Sequence, residues 1–133
     1  MKDEKLIIET KNAPAAIGPY SQAVRAGDIV FISGQLGIDP ETGKLVPGDV
    51  VKEAEQAMKN LDSIIKAAGG SMDDIVKTTI LLDNLDNFTV VNKIYSSFFP
   101  EGFPARACYE VSRLPAGGKV EIEAVAYLKN KQV

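Results

Sequence analysis

Between Asp49 and Gly69 the apolar residues Val51, Ala54, Met58, Leu61, Ile65 and Ala68 recur at intervals of 3, 4, 3, 4 and 3. Only a helix brings such a series onto one face. Asp49 is placed to cap its start, where a side-chain oxygen can accept from the free first-turn N–H groups. Gly69-Gly70 ends it near residue 68. A shorter series, Phe88, Val91, Tyr95 and Phe98, predicts a second helix capped by Asp86 and closed by Pro100. The remaining apolar runs read as strands over 6–10, 20–25, 29–33, 75–82, 106–111 and 120–128. Ala26-Gly27-Asp28 reads as the turn of a hairpin, as does the run from Leu114 to Gly118. The expected order is β-β-β-α-β-α-β-β.

Two helices of this size cover one face of a five- or six-stranded sheet. Yet Ile29, Val30, Phe31 and Ile32 are apolar on both faces. The last run sets Val120, Ile122, Ala124 and Ala126 on one side and Val125 and Tyr127 on the other. A second apolar face needs a cover, and self-association through it is the economical expectation. No linker or low-complexity segment divides the 133 residues, so residues 1–133 read as a single α+β domain.

The charge pattern narrows the function. A net charge of −3 argues against an electrostatic grip on nucleic acid or on an anionic membrane. The chain has no histidine, which removes the commonest general base and metal ligand and excludes a serine triad. Cys108 is the one cysteine and can form no intrachain disulfide, which fits a reducing compartment. Four of the first five residues are charged, and Leu6-Ile7-Ile8 is too short for a signal peptide's apolar segment. No run approaches the roughly 20 apolar residues needed to cross a bilayer. A soluble, cytoplasmic protein is expected.

One short segment carries a chemical suggestion. Arg106 follows Phe103-Pro104, a stiff turn at the mouth of a strand. A guanidinium fixed there can grip a planar carboxylate through two parallel N–H···O bonds. Alternation puts Arg106, Cys108 and Glu110 on one face, so an ordinary pairing of Arg106 with Glu110 is the plain alternative. Glu121 and Glu123 read either as a solvated strand face or as candidates for acid–base work. Gly117-Gly118-Lys119 resembles the end of a phosphate loop, but the first glycine of that motif is missing and a strand follows.

Several stretches together resemble the RidA (YjgF) family of reactive-intermediate imine deaminases. They are Asn12-Ala13-Pro14 running on to Gly18-Pro19-Tyr20, Ser33-Gly34-Gln35, Asp74 through Thr79, Pro104-Ala105-Arg106-Ala107-Cys108 and Val120-Glu121-Ile122. The resemblance runs from about residue 5 to 128. It implies a chorismate-mutase-like fold, a homotrimer, and active sites in clefts between subunits. It implies hydrolysis of 2-imino acids or their enamines, such as 2-iminobutanoate and 2-iminopropanoate, to 2-keto acids and ammonia. Such enamines are by-products of pyridoxal-phosphate enzymes. By matching position, Arg106 would hold the substrate carboxylate and Glu121 would position the attacking water. Tyr20, Ser33, Gly34, Asn92 and Cys108 would line the same cleft. No cofactor or metal is implied. The rival readings are an endoribonuclease or translation inhibitor, and a trimer that senses a keto or amino acid.

Overall fold

A computed structural model describes residues 4–129; the charged start at Met1–Asp3 and the end at residues 130–133 lie outside it. The expected order of elements is observed. Strands β1 (Lys5–Ile8), β2 (Ala23–Ala26) and β3 (Ile29–Leu36) precede helix α1 (Val50–Ala67). Strand β4 (Ile75–Leu82), helix α2 (Phe88–Ser96), β5 (Ala105–Glu110) and β6 (Val120–Tyr127) complete the chain. The strands form one mixed sheet in the order β1-β2-β3-β6-β4-β5. All neighbours are antiparallel except β4 and β5. That parallel pair needs a crossover, and α2 supplies it. Among the described residues no helix is long and apolar enough to cross a membrane.

The long helix forms as its sequence dictates. The Asp49 carboxylate accepts from the N–H groups of Val51 and Lys52 at 3.1 and 3.4 Å. At the other end Gly69 takes φ +98°, a conformation that costs glycine little. This lets Gly70 N–H reach Ile65 O at 2.9 Å and Gly69 N–H reach Lys66 O at 3.0 Å, which closes the last turn. Met58, Leu61, Ile64 and Ile65 are fully buried against Val30, Ile80, Leu82, Val120 and Ile122. Fully burying each such side chain contributes about 1.5–3 kcal/mol.

Three expectations need correction. Asp86 does not cap the second helix. Asn84 instead accepts from Asp86 N–H at 2.9 Å and opens a 3-10 turn over Leu85–Asn87 that leads into α2. Phe99, not Phe98, completes the buried face, and α2 ends at Ser96, before Pro100. The segment from Val111 to Lys119 is no hairpin either. Strands β5 and β6 both pair with β4 and lie on opposite sides of it, so this segment steps over the end of β4. Val111 N–H bonds Leu82 O at 2.8 Å and Asp83 N–H bonds Lys119 O at 3.2 Å along that step. The Lys119 ammonium lies 3.3 Å from the Glu53 carboxylate, which removes the phosphate-loop reading.

Both helices pack on one face of the sheet, and among the described residues the other face carries no element. On it Phe31 and Tyr127 are exposed, at 52% and 43%, and Val125 pairs with Phe31 across the strands. The sequence argument from two-faced apolar strands therefore describes a real surface.

Candidate active site

The residues singled out above divide into two groups on opposite faces of the sheet. Register decides this. Arg106 pairs with Thr78, and Thr78 with Ala124; both partners are buried under the helices. Glu121 is offset from Ala124 by three residues on the same strand, so it faces the other way.

Arg106 lies against α2. Its Nη1 donates to Asn92 Oδ1 at 2.7 Å. The guanidinium carbon sits 5.4 Å from the Phe88 ring centroid and 5.1 Å from that of Tyr95. Phe88, Asn92 and Tyr95 are four and three residues apart, so one face of α2 presents all of them. Among the described residues the other guanidinium N–H groups have no protein partner. They border a groove of about 450 Å³ walled by Asn92, Tyr95, Ser96, Phe103 and Pro104. Glu110 does not pair with Arg106; its carboxylate accepts from Leu85 N–H at 2.8 Å. Cys108 lies two residues on, on the Arg106 face, half-buried against the core. Burial pushes its thiol pKa up and the Arg106 charge offsets this in part, so the net direction disfavours the thiolate.

Tyr20, Ser33, Gly34 and Glu121 meet in a separate cavity of about 520 Å³. Strand β3 does not stop at Ser33. Ser33 and Gly34 form a bulge between Ile32, paired with Ala124, and Gln35, paired with Ile122. The bulge puts Gly34 directly beneath the Glu121 carboxyl. A Cβ on Gly34 would stand 2.8 Å from Glu121 Cδ, so a side chain there would displace the carboxyl from this position. Half-burial first, and the Glu123 charge second, push the Glu121 pKa up. Its carboxyl is thus nearer to balance between acid and base forms than an ordinary surface glutamate.

Tyr20 sits on a loop that a buried glutamine organises. The Gln22 side chain donates to the carbonyls of Thr10, Ala13 and Pro14 at 3.0, 3.3 and 2.8 Å. It also accepts from Thr10 N–H at 2.7 Å. Ser33 Oγ donates to Ser21 O at 2.6 Å, which ties this loop to the bulge. Sequence reasoning passed over Gln22, because a lone glutamine beside an apolar run reads as solvated. It also placed Tyr95 and Thr78 only as core and strand residues. Pro14, Ile17, Leu36, Ile38 and Pro115 give the cavity an apolar wall. Among the described residues no group of three or more His, Cys, Asp or Glu stands together as a metal site.

Fold and site define a class: a small mixed-sheet protein with a fixed guanidinium in one groove, a half-buried carboxyl in another, and an open apolar sheet face. The chain belongs to the RidA (YjgF) family; residues 10–128 match the family model described as endoribonuclease L-PSP. It is 56% identical over 120 residues to the mouse protein named 2-iminobutanoate/2-iminopropanoate deaminase, covering 90% of this chain and 89% of that one. The fold is similar to that of YyfA of the conserved Rid protein family from Yersinia pestis. That match has a TM-score of 0.91 at 50% identity over 94% of this chain and all of the other. It is also similar to E. coli TdcF with bound serine. There the TM-score is 0.88 at 45% identity, over 92% of this chain and 98% of that one.

Proposed function

We propose that this protein hydrolyses 2-imino acids and their enamine tautomers, such as 2-iminobutanoate and 2-iminopropanoate, to 2-keto acids and ammonia. It is a deaminase of reactive intermediates, of the kind named in its mouse and human relatives. Its substrates are by-products of pyridoxal-phosphate enzymes. The observation that carries the reading is the Arg106 guanidinium, held by Asn92 and two rings with an N–H edge left open to a groove. That edge fits the carboxylate every 2-imino acid carries. The serine held by TdcF is likewise a small amino acid.

The chemistry asks little more. An iminium carbon is already electrophilic, so the catalyst fixes the substrate, places one water and moves protons. The Glu121 carboxylate holds the water and takes its proton as the oxygen bonds to C2, giving a carbinolamine. Glu121 passes that proton to the nitrogen and takes the hydroxyl proton as the C–N bond breaks, so ammonia leaves a 2-keto acid. Cys108 serves as a neutral thiol in the lining, and Tyr20, Ser33 and Gly34 shape the water side. No metal or cofactor takes part.

One chain presents Arg106 and Glu121 in separate grooves on opposite faces. In the proposed homotrimer, assembled through the open sheet face, the Arg106 of one copy meets the Glu121 of the next. The test is to generate 2-iminobutanoate in situ and follow its loss after exhaustive chelation. Faster decay than in buffer is expected, and Arg106→Lys loses most of it, because an ammonium cannot form the two-pronged contact. Decay no faster than in buffer overturns the reading.

A further inference from the structure

Asn92 fixes only one nitrogen of Arg106, and a single hydrogen bond leaves a guanidinium free to rotate about it. The rest of the constraint comes from α2 and β4. Tyr95 is buried at 3% exposure, three residues along α2 from Asn92. Its ring centroid lies 5.1 Å from the guanidinium carbon, and a cation over an aromatic face resists being turned away from it. The ring is held in turn. Its hydroxyl shares a hydrogen bond of 2.6 Å with Thr78 Oγ, and Thr78 is 1% exposed. Its other neighbour, Phe99, packs at 4.9 Å between centroids with the planes 49° apart. Thr78 is also the residue that pairs with Arg106 in the sheet. Strand, ring and guanidinium therefore form a closed circuit. Burial pushes the Tyr95 pKa up, against smaller opposing effects of Thr78 and Arg106, so the phenol stays neutral.

We propose that Tyr95, tethered through its hydroxyl to Thr78, is a positioning residue that sets the plane of Arg106, so that the open N–H edge faces the groove walled by Phe103 and Pro104. This rests on the reading of Arg106 as the carboxylate grip. Tyr95 acts through Arg106 and touches no reacting atom, so its contribution falls on substrate binding.

The test measures KM for 2-iminobutanoate and, by calorimetry, Kd for 2-oxobutanoate in wild type, Tyr95→Leu and the double variant Thr78→Val/Tyr95→Phe. The double variant keeps the ring and removes both hydroxyls together, leaving no buried partner unpaired. Tyr95→Leu should raise KM and Kd roughly tenfold, within the range of a cation on an aromatic face. The double variant should raise both about two- to threefold, as a ring without its tether still attracts the cation. A smaller folded fraction lowers apparent kcat but leaves KM and Kd where they were, so a purely structural role predicts no change in either. Wild-type KM and Kd in Tyr95→Leu overturn the proposal. If that variant fails to fold, the double variant decides: raised constants support the proposal and wild-type constants overturn it. A wild type that binds 2-oxobutanoate but hydrolyses no imine sinks the deaminase reading alone, and the Kd series still decides. A wild type that does neither sinks the carboxylate grip and this proposal with it.

Discussion

Glu121 owes its position to the absence of a side chain at Gly34. The bulge brings the Gly34 backbone so close that a methyl group would collide with the carboxyl. Its pKa is raised by burial and, secondarily, by Glu123. If the carboxylate form holds the water, kcat/KM falls as pH drops through that raised value, above the ordinary glutamate figure of 4.5. Glu123→Gln removes the second cause and should move this acid limb to lower pH; an unmoved limb would show that Glu121 does not set it. The consequence for folding has the opposite sense. A raised carboxyl stabilises the fold only while protonated, so that contribution is lost as pH rises through the folded value. Arg106 was legible from sequence because Pro104 marks where its strand begins. Asn92 and Tyr20 were not: an asparagine on a helix border and a tyrosine in a loop carry no pattern, and only the family resemblance pointed to them.

Helix α1 holds the water-side cavity in place with polar groups that its amphipathic pattern conceals. Asn60, 1% exposed, donates to Leu36 O at 3.1 Å and Ile38 O at 2.9 Å, just past the bulge. Glu53, 2% exposed, accepts from Lys119 N–H at 2.8 Å, two residues before Glu121. The two are one heptad apart and look like solvated positions. Gly37 leaves the space that buries Glu53, since a Cβ on Gly37 would stand 2.5 Å from its Cα. Asn60→Ala should destabilise the protein by about 2–4 kcal/mol, the cost of leaving two carbonyls unpaired. Urea unfolding measures it, and a loss under about 0.5 kcal/mol would mean water replaces the amide. Elements with a strong period, such as α1 and β4, were legible almost to the residue. The order in which strands pair was not. Composition and alternation say that a run is a strand, not that β4 lies between β5 and β6.

At the scale of the molecule, the open sheet face and the divided site are two aspects of one arrangement. Phe31, Val125 and Tyr127 expose an apolar surface, and Arg106 and Glu121 lie on opposite faces of the sheet. In the proposed homotrimer, copies joined through the open face would cover the first and bring Arg106 of one copy to Glu121 of the next. Phe31→Asp should give a monomeric or aggregating protein without activity, because burying a lone charge costs several kcal/mol. Light scattering reports this directly, and a stable wild-type monomer of 14.3 kDa with full activity would defeat the assembly. The shared site has a sharper test. Arg106→Ala and Glu121→Gln chains, each inactive alone, are unfolded together and refolded as a mixture. If each site takes its arginine from one copy and its glutamate from the next, random assembly restores roughly a quarter of the sites. Imine hydrolysis should return to about a quarter of the wild-type rate. A mixture as inactive as its parts would place Arg106 and Glu121 of any working site in the same chain, and the account would be wrong.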